Sequence, residues 1–104
     1  MIIVTTDYIP GKEVKTVLGI AKGNTIRTRH IGKDLVAVLK HLVGGEVKEY
    51  TKLLAQAREQ ALERLRLNAQ ELGANAVVQV RFTTSVLMGG AAEMLAYGTA
   101  VIVE

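Results

Sequence analysis

The sequence predicts an α+β domain in which an antiparallel sheet is backed by helices, in the order β-β-α-α-β-β. Three observations support this fold class. The N-terminal region is rich in β-branched residues, residues 47–72 carry apolar side chains at helical spacing, and residues 76–103 alternate as two strands around a Gly-Gly turn. Because 104 residues correspond to about one domain, we expect a single unit over residues 1–104.

The first half of the chain is predicted to form two strands and a helix. Residues 2–6 form a short strand before a turn at Pro10 and Gly11. Residues 14–29 form a long, bent strand with Gly19 and Gly23 at a bulge or bend. The residues expected to share one face of this strand are Val14, Thr16, Leu18 and Ile20. Residues 31–43 then have helical spacing.

The second half is predicted to form a long amphipathic helix followed by a hairpin. The helix covers about residues 47–72 and ends at Gly73, after which Asn75 accepts a left-handed conformation. The apolar face of the first hairpin strand comprises Ala76, Val78, Val80, Phe82, Thr84, Val86 and Met88. The last strand, residues 93–103, is apolar on both faces, so it is central or meets another subunit. Gly98 within it indicates a bulge or a close backbone approach.

Composition favours self-association and excludes several site types. Hydrophobic residues make up 49% of the chain before its 10 glycines are counted, and a domain of this size buries only about 60% of its unfolded surface. We therefore expect other subunits to cover part of the apolar area. The absence of cysteine excludes a disulfide scaffold, a thiolate metal site, a cysteine nucleophile and thiol redox chemistry.

Hydropathy and charge indicate the location of the protein and the kind of ligand its surface suits. The N-terminus lacks a signal-peptide pattern, and the apolar run at residues 35–39 ends at Lys40, so we expect a soluble, cytoplasmic protein without membrane contact. The net charge of +3 is concentrated in the first half. Residues 14–33 hold five basic residues and no acid, namely Lys15, Lys22, Arg27, Arg29 and Lys33. This segment suits phosphate or nucleic acid, or it is a solvated strand face.

Several segments spread along the whole chain resemble the signature of the YbjQ family. They are VTT at 4–6, PG at 10–11, VLGIAKG at 17–23, VGGE at 43–46, AR at 57–58, LGANAVV at 72–78, RF at 81–82 and AYGTAV at 96–101. The resemblance implies a small cytosolic protein with a dodecin-like α+β subunit that assembles into a homopentameric ring. It also implies a heavy-metal-binding label, although the matched residues suit turns and packing and are not metal ligands.

The metal candidates are His30 and Asp34, which would be one helical turn apart if the first helix reached back to residue 30. His41 would lie about 16 Å from His30 along such a helix, too far to share an ion within one subunit. Only a symmetry axis of the ring could gather these ligands. The alternative, which we favour, is that both histidines are ordinary, partly exposed side chains.

Two further groups of residues are candidates for binding an anion. Gly44 and Gly45 could present backbone N–H groups, although a turn explains them better. Arg81 and Tyr97, with the neighbouring Gly98, lie on strands that are expected to pair, facing away from the main core. Arg81 would hold an anionic ligand, or it would form an interface ion pair with Glu93 across the hairpin, the reading we favour.

These observations favour a ring-forming, non-enzymatic protein that holds a small anion, small molecule or metal ion between subunits. Ser85 and Thr99 have no histidine and carboxylate partners that would suggest a nucleophile. A nucleic-acid-binding protein that uses its basic surface is the first alternative, although four aromatic residues offer little base stacking. The second is a small hydrolase or isomerase with an intersubunit site.

Overall fold

The computed structural model describes residues 1–27, 47–86 and 92–104. These residues form a four-stranded sheet with one long helix across one face. In chain order the elements are β1 (Ile2–Ile3), β2 (Val14–Arg27), α1 (Val47–Glu71), β3 (Ala76–Val86) and β4 (Ala92–Val103). The first predicted helix, residues 31–43, lies outside the described residues, as does the predicted turn at residues 89–90.

The sheet has the strand order β1-β3-β4-β2. Both β3 and β2 pair with β4 in antiparallel fashion, which confirms the predicted hairpin and the central position of the last strand. The expectation of a wholly antiparallel sheet is wrong, because β1 pairs with β3 in parallel, Ile2 opposite Ala76. The chain passes through β2 and α1 before it returns to β3, and a connection of that length permits a parallel arrangement.

Helix α1 occupies the predicted segment and packs on β2. Its buried residues recur every four positions and are mostly small: Ala57, Ala61, Leu65 and Ala69. Two of its polar side chains bond the backbone of β2. Asn68 Oδ1 accepts from the Lys22 N–H at 2.9 Å, and Arg64 Nη1 donates to the Asn24 carbonyl at 2.6 Å. The helix thereby covers part of the edge of β2 that faces away from β4. Within the described part of the chain, no strand pairs with this edge.

The end of α1 is a glycine cap, as predicted. Gly73 has φ +87°, its N–H donates to the Gln70 carbonyl, and the Ala74 N–H donates to the Ala69 carbonyl. These two bonds define a Schellman motif. The expectation that Asn75 adopts a left-handed conformation is wrong, because Gly73 has already turned the chain. Asn75 instead exchanges two side-chain hydrogen bonds with the backbone of Val103, at 2.9 and 2.8 Å.

A β-bulge at Gln79 divides β3 into two parts. Gln79 has φ +53°, and the register changes by one residue between the Val78–Thr99 and Arg81–Tyr97 pairs. The single apolar face predicted for residues 76–88 is therefore wrong. Before the bulge, Val77 faces α1 while Ala76 and Val78 face away; after it, Val80 again joins the core beneath α1.

Strand β2 also contains extra residues. The register shifts between Val14 and Thr16 and again between Val17 and Gly19, where Gly19 has φ +121°. The bulge predicted at Gly19 is confirmed, but the predicted common face is wrong. Leu18 packs against the core beneath α1, whereas Ile20 is 71% exposed on the opposite side of the sheet. Gly23 is not at a bulge; it lies directly beneath the backbone of α1.

Strand β4 is buried on both faces along its C-terminal half, and the chain itself covers both. Ala96 and Ala100 face α1, while Val101 and Val103 belong to a second cluster that is covered by residues from the N-terminal segment, Ile2, Val4 and Ile9. Gly98 lies opposite the bulge of β3. A Cβ atom there would be 2.8 Å from Val77 Cγ1, which confirms the predicted close approach.

Candidate functional site

The face of the sheet that points away from α1 carries the residues predicted to bind an anion. We call the part of this face that is not covered by the second cluster the outer face. Its residues are Val17, Ile20, Lys22, Asn24 and Ile26 of β2, Arg81, Thr83 and Ser85 of β3, and Glu93, Leu95, Tyr97 and Thr99 of β4. Much of it is apolar and open. Val17 is 65% exposed, and Ile26 is exposed as well.

Three side chains form a row across the middle of the outer face. Tyr97 of β4 is opposite Lys22 of β2 on one side and opposite Arg81 of β3 on the other. Side chains directly opposite each other on paired strands have Cβ atoms about 5 Å apart. We call these residues the cationic row: two basic side chains flank Tyr97, a residue that is 40% exposed.

The guanidinium group of Arg81 is held in place by backbone carbonyls. Its Nη1 donates to the Thr5 carbonyl at 2.9 Å and to the Val80 carbonyl at 2.8 Å. Neither acceptor carries a formal charge, so among the described residues the positive charge of Arg81 is positioned without being neutralised. Both bonds use Nη1, which leaves the donors on Nε and Nη2 for another group.

The bulge at Gln79 is what brings Arg81 to Tyr97. If the pairing of Val78 with Thr99 continued without the extra residue, Arg81 would lie opposite Ala96 and would point toward α1. The inserted residue reverses the alternation, and Arg81 emerges on the outer face. A strained backbone position in β3 thus creates the cationic row.

The ion pair expected between Arg81 and Glu93 within the hairpin is not formed. Glu93 is opposite Ser85, four residues from Arg81 along β3, and it accepts a hydrogen bond from Asn24 Nδ2 at 3.3 Å. Among residues 1–27, 47–86 and 92–104, the ion pairs are Lys15 with Glu13 and Arg66 with Glu63. Within these ranges, the two basic side chains of the cationic row therefore have no carboxylate partner.

Lys22 is the residue of this row that the sequence does not single out, because there it is one of five basic residues in the segment at residues 14–33. Its neighbours Ala21 and Gly23 are both buried beneath α1, whereas Lys22 is exposed. In the sequence, the small residues on either side of Lys22 indicate that its side chain points to the opposite face of the strand. The pairing of Lys22 with Tyr97 has no local signal, because the bulge near Leu18 sets the register.

The other predicted site residues do not belong to the cationic row. Gly98 is buried, and a Cβ atom at this position would point at Val77, Val78 and Val80 rather than toward the cationic row. The remaining candidates, His30, Asp34, Gly44 and Gly45, lie outside the described residues.

The described residues do not fit a heavy-metal ion. Ranges 1–27, 47–86 and 92–104 contain no group of three or more histidine, aspartate or glutamate side chains that could hold one, and the whole chain lacks cysteine. Within these ranges the softest buried donor is the Met94 thioether, which accepts from Thr84 Oγ1 at 3.3 Å. Thr25, opposite Met94, has a buried hydroxyl with no partner among these residues. One thioether and two hydroxyls are not a ligand set for a soft metal.

Comparison with known proteins finds relatives that match over all of this chain and most or all of their own length. A family model described as "Putative heavy-metal-binding", that of YbjQ, matches residues 1–104. A UPF0145 protein from Pyrococcus horikoshii is 60% identical over all of this chain and 89% of its own length. Another UPF0145 protein, from Dehalococcoides mccartyi, is 53% identical over the full length of both chains.

A solved structure shows the same fold at low sequence identity. The crystal structure of a DUF74-family protein of unknown function from Pediococcus pentosaceus matches with a TM-score of 0.60 and 18% identity. The match covers 100% of this chain and 98% of the other. In the parts of the chain that the structure describes, no helix is both long and apolar enough to cross a bilayer. The full-length family match and the UPF0145 relatives together show that the chain belongs to the YbjQ family.

Proposed function

We propose that this protein is a cytoplasmic, non-catalytic binding protein that assembles into a homopentameric ring and holds a small anion at the cationic row. The observation that carries the proposal is the register that puts Lys22 and Arg81 on either side of Tyr97. Two cations that have no carboxylate partner among the described residues, on either side of an exposed tyrosine, favour a ligand that brings negative charge.

Arg81 is the principal anion-binding group. Its hydrogen bonds to the carbonyls of Thr5 and Val80 restrict the guanidinium before a ligand arrives, so less conformational entropy is lost on binding. The planar guanidinium can donate two parallel bonds to a phosphate or carboxylate. Lys22 adds a mobile second charge from the other side of the ring.

Self-association is supported by what the outer face exposes. On this face, apolar side chains of β2 are exposed to solvent, Ile20 and Val17 most of all. Monomeric proteins rarely leave a contiguous apolar surface of this kind uncovered. A second copy of the chain is the occupant that the YbjQ resemblance implies, in a dodecin-like ring, and such packing would place the cationic row between subunits.

Native mass spectrometry of the untreated protein tests the assembly. We expect a pentamer, with or without a bound mass of a small anion. A monomer at micromolar concentration would contradict the proposed ring. A metal-sized mass that a chelator removes would instead support the metal reading, with His30 and Asp34 gathered at a symmetry axis, over the anion.

Calorimetric titration with inorganic phosphate at low ionic strength tests the binding site. We expect weak saturable binding that Arg81→Gln reduces by about tenfold or more, because a charge-assisted hydrogen bond is lost. Arg58→Gln is the matched control, since Arg58 is an exposed arginine of α1 away from the outer face. The anion proposal is wrong if phosphate does not bind, or if Arg81→Gln binds as tightly as the unsubstituted protein.

A further inference from the structure

The residues of the cationic row favour a ligand that carries more than a negative charge. We propose that it binds a nucleotide-like ligand, with a planar aromatic ring stacked on Tyr97 and a phosphate at Arg81. This inference rests on the proposed anion site and adds the class of ligand. It covers a free nucleotide and a nucleotide within a single-stranded nucleic acid, because both present a base and a phosphate next to each other.

The first argument is the distance between the two cations. Neighbouring strands are about 4.8 Å apart, so the backbones of Lys22 and Arg81, on either side of β4, are separated by about 10 Å. Arg81 is tied to the carbonyls of Thr5 and Val80 on the far side of β3. A single inorganic oxyanion at Arg81 would leave the ring of Tyr97 bare, whereas a ligand that extends over the ring uses the whole row.

The second argument is the surroundings of the ring. Tyr97 is flanked along the outer face by the row containing Leu95 on one side and by the row containing Ile20 on the other. These rows also contain the polar side chains of Asn24, Thr83 and Thr99, so the surface beside the cations combines the ring of Tyr97 with aliphatic and uncharged polar groups. An inorganic anion, which is strongly hydrated, gains nothing from the ring and the aliphatic groups, but a nucleobase does, by stacking and by removing apolar area from water.

The third argument is the position of Tyr97 in the sheet. Tyr97 belongs to a central strand, where pairing on both sides keeps its backbone rigid. Aromatic side chains on the exposed face of an antiparallel sheet, with basic residues on adjacent strands, are a general solution for holding unpaired bases. Arg81 and Lys22 supply the phosphate contacts from the adjacent strands.

Titration calorimetry with three matched probes tests the inference on the intact protein: deoxyadenosine monophosphate, deoxyadenosine and inorganic phosphate. We expect the nucleotide to bind about tenfold or more tightly than either of the other two, because it combines stacking with the phosphate contact. Tyr97→Leu should lower nucleotide affinity to about that of phosphate, because the stacking surface is lost while Arg81 remains. Tyr97→Phe, which keeps the ring, should retain the preference.

The outcomes separate the inference from the anion proposal. If phosphate binds through Arg81 but the nucleotide binds no more tightly, the inference is overturned and the anion site stands. If neither probe binds, both are overturned. The comparison on the unsubstituted protein decides this without any variant; circular dichroism and native mass spectrometry establish that the variants fold and assemble.

A single-stranded oligonucleotide of twelve deoxyadenosines distinguishes the two sources of the ligand. Binding that is much tighter than that of the mononucleotide and falls steeply with salt identifies a nucleic-acid strand, because many phosphates release counterions. Affinity close to that of the mononucleotide identifies a free nucleotide. In both cases the Tyr97→Leu substitution should reduce binding, and its failure to do so would overturn the stacking role of Tyr97.

Discussion

The backbone of Gly23 in β2 lies so close to α1 that a Cβ atom on this glycine would be 2.2 Å from the backbone nitrogen of Leu65. The same Cβ would lie 2.4 Å from the carbonyl oxygen of Ala61. Both are backbone atoms, which cannot move aside without displacing the helix. This contact sets how closely α1 approaches the sheet.

Gly23→Ala should therefore destabilise the protein by about 3 kcal/mol or more, since the helix must shift and lose its packing on β2. Urea unfolding at fixed protein concentration measures the change. Gly11→Ala is the control. Gly11 has φ +79° and open space around it, so its cost should be confined to about 1 kcal/mol of backbone strain. Equal costs at the two positions would contradict the close approach of helix and sheet.

Asn75→Ala should cost about 2 kcal/mol, because it leaves both the N–H and the carbonyl of Val103 without their side-chain partner. The bonds are partly buried, so water replaces them incompletely. Asn24→Ala, which removes an exposed bond to Glu93, should cost less than about 0.5 kcal/mol. Comparable losses in the two variants, measured by urea unfolding, would mean that Asn75 does not link the end of α1 to β4.

Gln79→Gly should stabilise the protein by about 1 kcal/mol, because glycine adopts the left-handed φ of +53° without a Cβ penalty. Gln79→Ala keeps the Cβ atom and should change stability little. The difference in thermal midpoint between these two variants isolates the backbone strain. If the glycine variant is the less stable of the two, the bulge does not have the conformation described here.

Glu63→Gln should remove a small pH-dependent contribution to stability. Hydrogen bonds from Arg66 lower the pKa of the exposed Glu63 carboxyl below its ordinary value of 4.5. A carboxyl with a lowered pKa in the folded state stabilises the protein above its unfolded pKa, and this contribution disappears as the pH falls through the folded pKa. The thermal midpoints of the two proteins should therefore differ slightly at pH 7 and converge as the pH falls through the lowered folded-state pKa of Glu63.

High salt should also reduce that difference at pH 7, because the ion pair is on the surface. A difference that persists unchanged in acid strong enough to protonate Glu63 in the folded state would show that Glu63 acts through packing rather than through charge.

Local patterns predicted the elements whose signals lie within one stretch of chain. The four-residue spacing from Ala57 to Ala69 and the glycine at position 73 placed α1 and its end almost to the residue. The alternation in β3 and β4 likewise predicted their pairing, and Pro10 with Gly11 predicted the turn in which the Lys12 N–H donates to the Ile9 carbonyl. These features depend on side-chain periodicity and backbone preference, which the sequence displays directly.

The bulge in β3 has no such signal, because Val77, Val78 and Val80 are all valines. The residues before and after the extra position are equally apolar, so the pattern reads as one uninterrupted alternation. The parallel pairing of β1 is similarly hidden, since two residues, Ile2 and Ile3, carry no indication of strand direction. Only the packing of distant segments distinguishes these arrangements.

The sequence by itself determined the α+β class, the long helix, the hairpin and the surplus of apolar surface that favours assembly. It also marked Arg81 and Tyr97 as candidates. The tertiary structure decided that these two residues face each other, that Lys22 completes the row, and that Glu93 pairs elsewhere. The physical reason is register: one inserted residue in a strand exchanges its two faces, and the partner strands, remote in sequence, select where that insertion is accommodated.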